Sequence, residues 1–123
     1  MQQPYSTHLF APDLTIIEEN GVRMFLIQGE SRAMLVDTGF GGGDLPALIR
    51  TLTDKPVFVV NTHADGDHIG ANACFDLTFM HPAEMHRYYE KAAPSHRPQP
   101  LFDGDCIDLG SSRWEIIALP GLT

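Results

Sequence analysis

Apolar residues along this chain fall into short runs separated by turn formers. Two of these runs, "LTIIEEN" at residues 14 to 20 and "GVRMFLIQG" at 21 to 29, are rich in strand-forming side chains and meet at Asn20-Gly21, the pair best suited to a tight hairpin. The chain is therefore predicted to open with a meander. A third run, "AMLVDTG" at 33 to 39, is continuously apolar up to Asp37, as in a strand covered on both faces.

Residues 40 to 56, "FGGGDLPALIRTLTDKP", change period: a Gly-rich loop leads to Asp44, a good N-cap, with Pro46 in the tolerated first turn. Leu45, Leu48 or Ile49, and Leu52 then repeat at helical spacing until Pro56 stops the helix. "VFVV" at 57 to 60 is a buried strand, so strand, helix and strand predict a parallel crossover. Further on, a short helix is expected over 70 to 76, a strand at 77 to 80 and a helix over 81 to 93 that begins near Pro82. The Pro-rich stretch up to residue 100 reads as a loop, and two strands near "CIDL" and "RWEIIAL" end the pattern. No repeat or linker divides residues 1 to 123, which are read as one domain.

Composition narrows the function classes. An apolar fraction of 43% with 20% charged residues belongs to a folded globular chain. Eight Lys and Arg against sixteen Asp and Glu give a net charge of -8, with no basic stripe, so nucleic acid and anionic membrane are expected to be poor partners. No run resembles a secretory signal or a membrane helix. Cys74 and Cys106 are read as two reduced thiols, which points to the cytoplasm.

The chemistry is concentrated in "NTHADGDHIG", residues 61 to 70, just after the predicted strand at 57 to 60. In layered α/β folds, ligands bind outside the carboxyl ends of parallel strands. His63, Asp65, Asp67 and His68 put four metal-ligand types into this loop, and Gly66 permits a tight turn among them. The bland alternative is a polar turn, since Asp, Gly, His and Asn are ordinary turn formers. A catalytic transition-metal site needs about three protein ligands and an open position for water, so a complete site draws on residues elsewhere in the chain.

"THADGDHIG", preceded by "AMLVDTG" and followed by "HPAE", resembles the metallo-β-lactamase superfamily, whose signature reads His-x-His-x-Asp-His. The resemblance implies an α/β (α+β) protein, an αββα sandwich of which this chain supplies the N-terminal half, with a mixed β-sheet and flanking helices. It also implies a hydrolase in which a metal-bound hydroxide attacks an ester, thioester, lactam or phosphoester of a small-molecule substrate. By position, His63 and Asp65 would hold a first ion, and Asp67 with His68 a second. Asp67 would also be the catalytic residue that orients water, and Asp37 would support the site from behind. Zinc, one ion or two, is the expected cofactor, with manganese and iron as alternatives.

Two positions depart from the family pattern. Asp65 stands where the signature has His, which replaces nitrogen by a hard oxygen donor. In "WEIIALPGLT", Leu122 stands where the family places a His that completes the first metal shell, and leucine is no ligand. The competing expectation is thus a non-catalytic half-sandwich, holding metal weakly or not at all, that covers its apolar sheet face by forming a homodimer.

The remaining candidates have plainer readings. His81 is read as a helix cap, His86 as solvent-facing on its helix and His96 as a surface loop residue; Trp114 is read as packing. Gly41, Gly42 and Gly43 lack the Lys-Ser/Thr that a phosphate loop requires, and are read as room for backbone turns beside the cleft.

Overall fold

A computed structural model describes residues 4–39, 41–62, 75, 77–80, 85, 99–100, 106–110 and 113–115. Strands β1 (Tyr5–Ala11), β2 (Leu14–Glu19), β3 (Val22–Gln28) and β4 (Ala33–Val36) run antiparallel, each beside its predecessor. The hairpin between β2 and β3 turns at Asn20 and Gly21, whose φ values of 50° and 88° are both left-handed, as a tight primed turn demands.

Helix α1 (Leu45–Leu52) then crosses over to β5 (Val57–Val60), which pairs parallel with β4. Its N-cap is Asp44, whose carboxylate accepts the amide of Ala47 at 3.1 Å, a cap that contributes about 1 kcal/mol. The helix ends before the predicted stop, because Thr53 adopts extended backbone at the C-cap. Strands β6 (Thr78–Met80) and β7 (Gln99–Pro100) extend the parallel part, so a mixed sheet of seven strands lies in simple chain order.

Two strands differ from the sequence expectation. β1 had no predicted counterpart: its central residues are exposed, including Leu9 and Phe10, so it pairs through its backbone without a burial pattern. β7 replaces the end of the predicted Pro-rich loop, and Pro100 is tolerated there because the strand lies at the sheet edge. The expected helices over 70 to 76 and 81 to 93 fall almost wholly outside the described residues; within them, Phe75 lies in a bend and Met85 is helical.

Each face of the sheet has its own core. Ile17, Met24, Leu26, Leu35 and Val59 point to one side and pack with Leu45 and Ile49 of α1 and with Phe75. Ile27, Met34 and Phe58 point to the other, against Ile107 and Leu109. The latter two belong to a second, two-stranded sheet of β8 (Cys106–Asp108) and β9 (Arg113–Glu115) and the residue that follows β8. The contact between the sheets is fastened by polar groups: Ser31 donates its amide to the Leu109 carbonyl at 3.0 Å, and Arg32 Nε donates to the Asp108 carbonyl at 2.9 Å. The Arg32 guanidinium also lies 4.7 Å from the centre of the Phe58 ring, a cation-π contact. Leu14, Val36, Val60 and Phe79 are partly buried on this face, as Tyr5, Leu48, Leu52 and Val57 are on the other.

Candidate active site at the carboxyl ends of the parallel strands

Strands β4, β5 and β6 end side by side, and the two segments that leave β4 and β5 are tied together there. Asp37 directly follows β4 and is 4% exposed. Its amide donates to the Val60 carbonyl at 2.9 Å, which continues the parallel ladder by one more rung. Its carboxylate then accepts two bonds from Thr62, the backbone amide at 2.8 Å and the hydroxyl at 2.6 Å. In the same way, the amide of buried Asn61 donates to the Phe79 carbonyl at 2.8 Å, joining the end of β5 to β6.

Asp37 holds this position with φ of 66°, a left-handed conformation that costs a non-glycine residue on the order of 1 kcal/mol. Asp tolerates that region better than most residues, and the three hydrogen bonds outweigh the strain. The result is a buried anion that bonds the residue immediately before His63. The supporting role expected of Asp37 thus acquires a specific partner, Thr62, visible in the sequence only as a neighbour of the motif.

A second buried carboxylate lies behind the same loop. Glu19, the last residue of β2, has no exposed surface. It shares the side of β2 on which Ile17 packs into the α1 core, and its Oε2 accepts the amide of Gly42 at 2.9 Å. Its Oε1 lies so close to Gly39 that a Cβ there would collide with it, and Gly39 has φ of 69°. Only glycine meets both demands. Nothing in "LTIIEE" announces the buried acid, because the opposite face, Leu14, Ile16 and Glu18, is the more apolar of the two in sequence.

His63, Asp65, Asp67, His68 and Leu122 all lie outside the described residues, as do His81, His86, His96 and Cys74. Among the described residues no group of three His, Cys, Asp or Glu could hold a metal ion. Of the sequence-predicted site, the structure therefore describes Asp37 and the residue at which the motif starts. Cys106 is exposed, and with Arg32, Phe58, Phe79 and Ile107 it lines a small cavity on the β8 face that neither Asp37 nor Thr62 borders. Among the described residues no helix is long and apolar enough to cross a membrane.

This architecture is shared with known enzymes. A β-lactamase from Chitinophaga pinensis is similar in structure with a TM-score of 0.81 at 25% identity, over 99% of this chain and 55% of that one. A subclass B3 metallo-β-lactamase of Bradyrhizobium japonicum superposes with a TM-score of 0.79 at 19% identity, over 97% of this chain and 53% of its own. A class B3 di-zinc metallo-β-lactamase from an Alaskan soil metagenome gives 0.77 at 22% identity, over 98% and 55%. The chain thus spans just over half the length of these solved structures. Among curated protein sequences none matches it. The family model of the metallo-β-lactamase superfamily matches residues 17–123, and the chain belongs to that superfamily.

Proposed function

We propose that this chain carries part of the metal site of a hydrolase acting on a small ester, thioester, lactam or phosphoester, with His63, Asp65, Asp67 and His68 as ligands. The observation that carries the reading is the Asp37–Thr62 pair of hydrogen bonds, which fixes the chain one residue before His63 at the end of a parallel strand. Two imidazoles and two carboxylates form a donor set that fits zinc and also suits manganese or iron. Leu122 adds no donor, so any further ligand comes from another residue or from water. Zinc in such a site supplies Lewis acidity and a nucleophile at neutral pH. Asp67 orients the attacking water and takes its proton. A cytoplasmic setting, drawn from just two cysteines, accompanies this reading.

Elemental analysis tests it directly. After dialysis against zinc and then buffer, the chain is expected to retain metal, and the paired substitution His63→Ala and His68→Ala is expected to remove most of it. Zinc content that is unchanged in the double variant rejects the site.

A second reading is favoured by the partly buried Leu14, Val36, Val60 and Phe79 on the β8 face: a non-catalytic half-sandwich that pairs with a second copy over this surface. Light scattering coupled to size exclusion at micromolar concentration is then expected to show a dimer. A stable monomer that turns over any of the four substrate classes with added metal removes this reading.

A further inference from the structure

The loop between β4 and α1 is held from two sides by buried carboxylates. Asp37 begins it and Glu19 grips it further along, through the Gly42 amide and close contact with Gly39. A carboxylate with no exposed surface is costly to bury unless backbone donors compensate it. Accepting the Gly42 amide supplies one such donor to Glu19. Between Asp37 and the point where Glu19 meets Gly39 lies only Thr38, fully buried, and Gly39 is left-handed like Asp37. With Asp37 bonded to Thr62 and Gly39 pressed against Glu19, the backbone from 37 to 39 has little freedom to let Asp37 relax towards an ordinary φ.

We infer that Glu19 is a positioning residue for the candidate site: by anchoring the loop at Gly42 and Gly39 it keeps Asp37 in the conformation that holds Thr62, and so sets the start of the ligand-bearing segment. The path runs from the Glu19 carboxylate to Gly39, back through Thr38 to Asp37, and across to Thr62. The relevance to metal rests on the ligand assignment proposed above; the coupling of Glu19 to Thr62 does not.

Amide hydrogen exchange on the metal-free 123-residue chain separates the two. In Glu19→Ala the amides of Gly42 and Thr62 are expected to exchange at least about tenfold faster than in the parent, beyond any change at Val59 in β5, the strand that precedes Thr62. Glu19→Gln keeps an acceptor for Gly42 and is expected to return both to within about threefold of the parent. Glu19→Asp retains the charge but is one methylene too short, and serves in place of the alanine variant if that fails to fold. Leu26→Ala, a core change remote from the loop in sequence, is the control, with its acceleration shared by all slow amides. Faster exchange at Gly42 with Thr62 unmoved overturns the inference, as does acceleration at Thr62 no greater than at Val59. A zinc titration of the same variants adds the functional arm, with weaker binding expected for Glu19→Ala and recovery for Glu19→Gln. If the parent takes up no zinc, the ligand assignment falls while the exchange result still decides the coupling.

Discussion

Replacing Asp37 by alanine is expected to weaken zinc binding by about 10- to 100-fold, the range seen when a group that orients metal ligands is removed. The carboxylate accepts both the amide and the hydroxyl of Thr62, so its loss frees the residue before His63 in two directions at once. Alanine also has no side chain to support a φ of 66°. Because Thr62 itself is exposed, water takes over part of the lost bonding, and the stability loss is held to about 2 kcal/mol. Asp37→Asn separates the contributions: asparagine tolerates the left-handed region and can still accept the Thr62 amide. It is expected to keep most of the stability and to recover part of the zinc affinity. Competition titration against a chromophoric chelator measures the affinity and urea unfolding the stability. Equal zinc affinity in parent and Asp37→Ala would remove Asp37 from the site.

The largest effect on stability is expected at Leu35. It has no exposed surface, lies on the central strand β4 and packs into the α1-side core with Leu26 and Val59. Leu35→Ala is expected to cost about 3 kcal/mol, because lost transfer energy and the remaining cavity add. That is a large share of the roughly 5 to 15 kcal/mol available to a domain of this kind. Its neighbour Val36 faces the β8 side and is only partly buried, so Val36→Ala is expected to cost about 1 kcal/mol or less. The same urea experiment measures both. A Val36→Ala cost as large as that of Leu35→Ala would mean that the β8 face is sealed in solution, as the dimer reading requires.

How far the sequence could be read depended on whether an element buries a pattern. The run at 57 to 60 coincides with β5, and the runs from 14, 21 and 33 overlap β2, β3 and β4, because each contributes side chains to a core. The N-cap at Asp44 was legible from local chemistry alone. β1 was not, since Thr7, His8, Leu9 and Phe10 are all exposed and nothing in their spacing distinguishes them from a loop. β7 was hidden by Pro100, which argues against a strand except at an edge. At the site, Asp37 was picked out only through the family resemblance that "AMLVDTG" helps to carry. The roles of Thr62 and Glu19 were not, because each bonds a residue more than twenty positions away. Such a partnership exists only once strands have been set side by side.

The chain-order arrangement of the seven-stranded sheet also governs when its parts are built. β1 to β4 are joined by short turns, so each new pairing closes a small loop and little chain entropy is lost at any step. The first pairing to span a longer stretch is that of β5 with β4 across α1. Contacts local in sequence form fastest, since they close the smallest loops. The pairings that carry Glu19 and Asp37 are thus the most local of the sheet, whereas the bonds from Thr62 to Asp37 wait for the longer closure that brings β5 beside β4.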